Sequence, residues 1–349
     1  MAGSVQGQET QTQAGATPLP APSDAVSPTP NSSESAGTPR RDDAGLSDVD
    51  MFGMGGRGMG GPGYGVTWYP SRPVSGSGHG EDFGLLRQDA SVAMPVWRKG
   101  GDMVTFSAGL RNSQFSTDAI LPDSHRPFPD ELWNVRFGTN YVHTSDNGRS
   151  YGGGIFFGSA SDKPFHSLDE MNLGFLAFVQ MPARRERDFW RFSLMYSPVG
   201  NFNFPIPGVT YLWNPSNTLH VSIGVPAAVL WRPTEDLTIT AFYVPLVTGS
   251  VRATYRLVRN VFVYTGFESL QEAYFLADRQ DEDDRFLAFE QRLVGGVRWE
   301  VARHAVLETS AGYAFDRFYG VGQNQISHLH DEVDIAPGPF LAANARIRF

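Results

Sequence analysis

The segment FLAFEQRLVGGVRWEV, residues 286–301, decides the fold class because apolar and polar residues alternate along it. The odd positions are mostly apolar: Leu287, Phe289, Gln291, Leu293, Gly295, Val297, Trp299 and Val301. The even positions carry the charges: Glu290, Arg292, Arg298 and Glu300. Successive side chains of a β-strand point to opposite faces, so a period of two indicates a strand. We therefore expect one apolar and one ionic face.

The same alternation recurs from residue 64 to the C-terminus and predicts about fourteen strands. Most of them run for about nine residues or more, which is close to the span of a tilted membrane strand and longer than the strands of soluble proteins. No helical periodicity interrupts them. The predicted strands lie near 64–70, 89–97, 102–111, 132–143, 150–158, 171–181, 188–196, 218–225, 236–245, 249–257, 260–268, 286–300, 304–315 and 339–349.

Short and long connections alternate between these strands. The short ones are 98–101, 145–149, 183–187, the region of Arg259, and 302–303. The long ones are 112–131, 159–170, 197–217, 269–285 and 316–338, and the short link 246–248 is an exception. Bacterial outer-membrane barrels have short periplasmic turns, long outer loops and an even number of strands. The sequence thus predicts an all-β, antiparallel, up-and-down transmembrane barrel of about fourteen strands, with twelve as the alternative count.

Composition excludes several other classes of protein. The 349 residues include no cysteine, so disulfides and thiolate metal sites are impossible. A net charge of −9 argues against nucleic-acid binding. The longest apolar runs, such as residues 173–179, are too short for a membrane-spanning helix. Lysine occurs only at Lys99 and Lys163, which is unusual for a soluble domain surface.

Residues 1–63 differ in composition from the remainder and are expected to form a disordered, Pro/Ser/Gly-rich periplasmic tail, with the barrel covering residues 64–349. The first fifteen residues lack the basic start and apolar stretch of a signal peptide. We expect that the targeting segment precedes this chain or has been lost, and that the protein is localised to the bacterial outer membrane.

A sheet in lipid must close on itself, which turns its polar face into a lumen. The residues predicted to line that lumen are Arg111, Arg136, Arg191, Arg252, Arg256, Glu290, Arg292, Arg298, Glu308, Arg346 and Arg348. Glu300 and Asp316 are further candidates to pair with these arginines. A ring of fixed cations would favour anionic solutes, whereas pairing across the lumen would plug it. Both interpretations stay open, because fourteen strands lie between filled and open barrels.

A soluble β-sandwich or barrel is the alternative fold with the same periodicity. It would place the apolar face inside. The recurrence of Tyr, Trp and Phe near the strand ends, where membrane girdles lie, favours the membrane barrel. A sandwich would also have to hold charged residues in its own core, which is energetically costly.

The stretch from about Tyr64 to Phe349 resembles bacterial outer-membrane β-barrel proteins, and the terminal ARIRF is similar to the C-terminal signal that the barrel assembly machinery reads. The segments SASDKPFHSLDE (159–170), FPIPGVTYLWNPS (204–216), YFLADRQDEDDRF (274–286) and AGYAFDRFYG (311–320) resemble an uncharacterised domain-of-unknown-function family of such barrels. The resemblance implies the lipid bilayer as a partner and contact with the assembly machinery through Phe349. It implies no activity.

Several motifs have a plain structural interpretation that we prefer. Gly53, Gly55 and Gly58 match dinucleotide-binding spacing, but no strand precedes them, so they indicate a linker. The polar run from His328 to Asp334 could hold a metal but is more typical of a solvated loop. The acidic run 281–284 lacks calcium-loop spacing, although it could bind divalent ions that bridge lipopolysaccharide.

A hydrolase site would need a histidine beside a nucleophile at the outer rim. The sequence cannot place His125, His143, His166 or His220 in that way, so we interpret these histidines as structural. The leading functional expectation is a non-enzymatic outer-membrane channel or facilitator for small solutes, anions among them, with no cofactor and no bound metal. The alternatives are a plugged structural or adhesive barrel that binds partners or lipopolysaccharide through its acidic outer loops, and an outer-membrane hydrolase.

Overall fold

The computed structural model describes residues 61–75, 82–184, 187–198, 204–245, 247–323 and 328–347. Within these ranges, the regular secondary structure consists of β-strands alone. No helix among the described residues is long and apolar enough to cross a bilayer. The tail predicted over 1–63 lies outside these ranges apart from its last three residues, as do Arg348 and Phe349.

The described strands follow one another without intervening helices. They are β1 (Gly63–Ser75), β2 (Asp82–Lys99), β3 (Asp102–Ser116), β4 (Glu131–Thr144), β5 (Ser150–Ser161), β6 (Met171–Pro182), β7 (Phe189–Tyr196), β8 (Ile206–Trp213), β9 (Leu219–Gly224), β10 (Ala227–Trp231), β11 (Leu237–Val244), β12 (Thr248–Val258), β13 (Val261–Tyr274), β14 (Arg285–Ala302), β15 (Ala305–Gly322), β16 (His330–Ile335) and β17 (Gly338–Ile347).

The sheet closes into an antiparallel barrel of sixteen strands. Each strand from β1 to β15 pairs with the next, β15 then pairs with β17, and β17 pairs with β1 from Gly63↔Arg346 to Trp68↔Leu341. The additional strand β16 lies in line with β17 and pairs with β1 and β15 at the far end of the barrel. Pro337 separates the two strands because proline has no N–H to donate. Each described strand of the closed sheet therefore has a partner on both sides.

The predicted number of about fourteen strands is wrong, because the alternation of apolar and polar residues does not reveal β8, β10 and β16. Pro207 and Gly208 disguise β8, since both residues are disfavoured in strands. Strand β10 has only five residues, which is too short to show a clear period. The charged sequence of β16, HDEVDI, is typical of a loop. The all-β, antiparallel, closed-barrel architecture is confirmed, and the closed barrel has an even number of strands.

The two faces of the sheet are oriented as expected for a barrel with an apolar outer face and a polar lumen. On β14, Leu293, Val297 and Trp299 point outward and are exposed, whereas Arg292 and Val294 point inward and are buried. Other strands likewise expose large apolar side chains: Tyr64, Trp68, Phe137, Ile155, Leu173, Phe192, Tyr243, Val251, Leu307, Tyr313 and Leu341. An apolar exterior around an ionic interior is opposite to the soluble sandwich alternative.

The two ends of the barrel differ in their connections. One end, here called the turn end, holds both described termini and the connections 100–101, 145–149, 183–188, 214–218, 232–236, 259–260 and 303–304. The opposite end, here called the loop end, holds the longer segments 117–130, 162–170 and 275–284. It also holds the short links 225–226 and 245–247. The second of these overlaps the link 246–248, which the sequence predicts as an exception to the alternation of short and long connections. The predicted asymmetry of turns and loops is therefore present.

The wall of the barrel is uneven in strand length. Strands β7 to β11 have five to eight residues, whereas the other barrel strands have ten to eighteen. A strand rises about 3.3 Å per residue, so the shortest wall strand is about 17 Å long. The long strands β13, β14, β15, β1, β2 and β3 lie on the opposite side, and the ionic and aromatic contacts of the interior are concentrated there.

Candidate functional site

Ten of the eleven predicted lumen residues belong to the described part of the chain, and Arg348 does not. Three of the ten are buried: Arg191, Glu290 and Arg292. Arg256, near the turn end, is exposed, and the others are partly buried. The structure therefore places these side chains on the inward face at different depths. Whether they line a passage for solutes remains a prediction.

A first group of interior contacts surrounds Arg292 on β14. Its Nε and Nη2 donate to Glu268 Oε2 at 2.8 and 2.6 Å, and its Nη1 lies 3.3 Å from Glu290 Oε1. The Tyr69 hydroxyl donates to the same Glu290 oxygen at 2.7 Å. Arg317 lies 3.7 Å from the other oxygen of Glu290. The charge of Arg292 is thus compensated within the barrel wall.

A second group surrounds Glu272 near the loop end of β13. Arg87 lies 3.5 Å from Glu272 Oε2, Arg111 Nη1 donates to Oε1, and the Tyr274 hydroxyl donates to Oε2 at 2.7 Å. Arg111 also donates to Asp89 Oδ1 at 2.6 Å. Arg87 lies 3.6 Å from Glu290 as well, so the two groups form one network. Every carboxylate in this network has a guanidinium partner.

The network crosses the interior of the barrel. Counted around the closed sheet through β1, β17, β15 and β14, β2 lies five strands from β13, and β3 lies six. The pairs Arg87–Glu272 and Arg111–Glu272 therefore join strands that are far from neighbours. Such pairs cross the interior of the barrel, as the plugged interpretation would require.

A direct backbone contact lies beyond the network toward the loop end. The N–H of Phe275, just after β13, donates to the carbonyl of Ala160 on β5 at 2.7 Å. The N–H of Ala277 donates to Asp162 Oδ1 at 2.8 Å. Strands β5 and β13 lie eight places apart in the sixteen-stranded barrel, which is the greatest separation the closed sheet allows. The segment after β13 thus reaches the opposite wall at this level.

Aromatic side chains fill the loop end on the same side of the barrel. Five rings pack with centroid distances of 5.1 to 5.6 Å, namely Phe83, Phe115, Phe128, Phe286 and Tyr319. Phe128, together with Ala119 and Leu121, comes from the segment 117–130, which folds into the barrel. This aromatic plug therefore contains parts of a loop that the sequence placed outside.

Reciprocal bonds hold that loop to β16. Asp331 Oδ1 accepts the N–H groups of Asp123 and Ser124 at 2.9 and 2.7 Å, and Asp123 Oδ2 accepts the N–H of Asp331 at 2.7 Å. Asp331 has a φ of 55°, a left-handed conformation that Asp and Asn adopt more readily than most residues. We call this pair the Asp123–Asp331 clamp.

The remaining predicted lumen residues form smaller local groups. Arg252 lies 3.4 Å from Glu268 and 3.6 Å from Glu308, with its guanidinium 4.1 Å from the centroid of the Tyr264 ring. A Cβ at Gly296 would stand 2.6 Å from that tyrosine, so only glycine leaves it room. The turn-end pairs are Arg256–Asp236 at 3.8 Å and Arg298–Glu300 at 3.7 Å.

Arg136 differs from the other predicted cations. Arg136 has no carboxylate at salt-bridge distance among the described residues and lies beside Gly109. Arg191 donates to the neutral Gln180 Oε1 at 3.1 and 2.6 Å and lies over the Phe178 ring at 5.2 Å. Asp316, expected to pair with an arginine, is exposed.

The histidine and acidic motifs do not assemble into a metal site in the described chain, where no cluster of three or more His, Asp or Glu residues could hold an ion. His330 lies 3.9 Å from Asp284. His143 bonds Asp102 at 2.6 Å and stacks on Tyr151, on the outward face near the turn end. His220 bonds Asn214 at 2.7 Å.

Sequence reasoning missed seven of the ten residues of the central network: Tyr69, Arg87, Asp89, Glu268, Glu272, Tyr274 and Arg317. For Arg87, Glu272 and Tyr274 the cause is strand length. The predicted strand 89–97 begins later than the observed β2, and the predicted strand 260–268 ends earlier than the observed β13, so both predictions omit the part near the loop end. The signal that could have found them is the inward parity of β2, which continues from Asp89 through Arg87 to Leu85. Their pairing across the lumen is not encoded in any local pattern.

No protein-family model and no curated protein matches the chain. The resemblance to an uncharacterised family of barrels is therefore without support from a family model. Several solved structures show a weak similarity to the chain. The beta domain of the Bordetella autotransporter BrkA is 12% identical with a TM-score of 0.32, and the match covers 83% of this chain and 99% of that one.

Two channels are similar to the same extent. An outer membrane channel from Pseudomonas putida F1 is 7% identical with a TM-score of 0.35, over 83% of this chain and 96% of that one. A mutant of the TodX monoaromatic hydrocarbon channel is 8% identical with a TM-score of 0.36, over 84% and 91%. These similarities are too low to assign a function to this chain.

Proposed function

We propose that the chain is an integral β-barrel of the bacterial outer membrane. The closed sheet supports this proposal, because lipid offers no partner for an unpaired N–H or C=O group. The apolar outer face supports it as well. In water, Ile155, Leu293 and Trp299 and their many equivalents would form an exposed apolar surface far larger than the few hundred Å² that soluble proteins tolerate. The turn end would then face the periplasm and the loop end the exterior.

Purified protein tests this part of the proposal. A folded membrane barrel should require detergent and should migrate differently on a gel before and after boiling. A protein that stays dissolved without detergent and migrates identically in both conditions would contradict the membrane assignment.

We further propose that the barrel is closed to solutes in its resting state and acts as a non-enzymatic structural barrel that presents its outer loops. The observation that carries this is the Arg87–Glu272–Arg111 bridge, which crosses the lumen between strands five and six places apart. The aromatic plug above it and the Phe275–Ala160 contact support the same conclusion.

A liposome-swelling assay with a five-carbon sugar tests closure. Liposomes that contain the wild-type barrel should swell no faster than empty liposomes. Rapid swelling would overturn the closed state.

A second candidate is the facilitator function that the sequence favours, with anions among its solutes. The wall formed by strands β6 to β12 supports it, because the Arg87–Glu272–Arg111 bridge and the aromatic plug are built from the other side of the barrel and its loop 117–130. A passage along strands β6 to β12 would then remain beside the closed half. It predicts swelling that is faster for anionic than for cationic solutes of equal size, and that is reduced in Arg191→Gln.

A further inference from the structure

A cavity of about 410 Å³ lies at the loop end, above the aromatic plug. Three segments enclose it: the loop 117–130, the segment 275–286, and the neighbouring β15 and β16. Its volume falls within the range of small-molecule sites. Leu276, Phe286 and Val321 provide an apolar floor, and the rest of the lining is mainly charged. This cavity is separate from the cross-lumen network.

Two of the three arginines of the cavity donate to backbone carbonyls, whereas the third, Arg126, forms a salt bridge with Asp278 at 3.0 Å. Arg279 donates to the carbonyls of Leu276, Glu282 and Asp169 at 2.9 to 3.2 Å. Arg285 donates to the carbonyls of Pro198, Asp283 and Gln323 at 2.7 to 3.2 Å. A carbonyl fixes the guanidinium without cancelling its charge. Arg279 is therefore positioned to interact with an anionic group in the cavity.

The carboxylates come from other segments. Asp331 is wholly buried, lines the cavity, and uses only Oδ1 in the Asp123–Asp331 clamp. Its Oδ2 has no hydrogen-bond partner among the described residues. Ser124 Oγ and Arg126 Nε, in the same lining, are likewise buried without a partner in the described chain. Buried polar groups are nearly always hydrogen-bonded, so three such atoms around one cavity point to a missing polar ligand.

We propose that this cavity binds a small zwitterion of the α-amino acid class. The lining holds three arginines (Arg126, Arg279, Arg285) and three aspartates (Asp123, Asp284, Asp331), so a ligand of one sign would meet three like charges. A ligand with both a carboxylate and an ammonium group can pair with each. The apolar floor fits an aliphatic side chain. The proposal does not depend on whether the barrel conducts solutes.

The first test uses the wild-type barrel in detergent, three related ligands, and glucose as an uncharged comparison. L-leucine carries both charges, N-acetyl-L-leucine only the negative charge, and L-leucinamide only the positive charge. Calorimetry should show saturable binding of L-leucine and affinities at least about tenfold weaker for the other two, since each loses one charge-assisted hydrogen-bonding group. Equal affinity for all three ligands, no saturable binding of L-leucine, or preferential binding of glucose would overturn the proposal.

The second test locates the site. Arg279→Gln and Asp331→Asn should each weaken L-leucine binding at least about tenfold. Asparagine at position 331 tolerates the positive φ and still accepts the two N–H groups of the clamp, so the loop keeps its place. The matched control Arg149→Gln changes an exposed arginine in a turn at the opposite end and should bind like the wild type. Unchanged binding in both cavity variants would contradict the site.

Discussion

The N–H of Phe275 donates a hydrogen bond of 2.7 Å to the carbonyl of Ala160. Phe275 directly follows β13, and Ala160 belongs to β5, which lies eight strands away from β13 around the sixteen-stranded barrel. Opposite walls of a circular barrel of this size would stand far apart and leave a channel. The contact therefore requires the segment after β13 to cross the interior. Together with the ion pairs of Glu272, it defines the closed half of the lumen.

Cysteine cross-linking should detect this contact, because the chain has no cysteine of its own. The variant Ala160→Cys with Phe275→Cys should form a disulfide on mild oxidation in the folded barrel, since the two backbones are hydrogen-bonded. The control pair Ala160→Cys with Ala253→Cys joins β5 to β12 and should stay reduced. Absence of a disulfide at 160 and 275, measured by mass spectrometry, would place the two walls apart.

The substitution Glu272→Gln should destabilise the barrel by about 3 kcal/mol, because it leaves Arg87 and Arg111 without their shared carboxylate inside the protein. Urea unfolding in detergent micelles measures the free energy of unfolding. Glu282→Gln, in the exposed part of the loop, is the matched control and should change it by less than about 0.5 kcal/mol. Equal effects of the two variants would mean that Glu272 is not part of a buried network.

The substitution Leu293→Arg should destabilise the barrel by about 2–4 kcal/mol in a bilayer, because Leu293 lies at the middle of β14, is 54% exposed on the outer face and would face lipid in the proposed membrane barrel. Leu168→Arg is the matched control, since Leu168 is 80% exposed in a loop. In a water-soluble barrel both substitutions would be harmless. Unfolding from vesicles that leaves Leu293→Arg as stable as Leu168→Arg would contradict the membrane assignment.

The substitution Asp123→Ala should loosen the clamp. The N–H of Asp331 would lose its acceptor. Since a hydrogen bond contributes about 1 kcal/mol net, the amide of Asp331 should exchange roughly fivefold faster through local opening of the clamp. Hydrogen exchange of the Asp331 amide measures this. Asp118→Ala, an exposed position in the same loop, serves as the control. Unaltered exchange at Asp331 would show that the loop is held by the aromatic plug alone.

The sequence predicts the class of the fold well because a barrel with an apolar outer face and an ionic interior needs a period of two on each strand, as on β14. It fails at β8 and β10, where proline, glycine and short length hide that period. It identifies Arg111 and Arg292 as inward-facing from parity alone. It does not identify Glu272 as the partner of Arg111, because that pairing depends on how far β13 extends and how far the opposite walls approach.

Single-channel recording in planar bilayers tests the central claim most directly. The wild-type barrel should insert without conductance steps, whereas the double variant Arg111→Gln with Glu272→Gln, which removes the ionic bridge across the lumen, should show discrete openings. Steady open-channel conductance from the wild-type protein, unchanged in the double variant, would contradict the claim that the cross-lumen network closes the barrel.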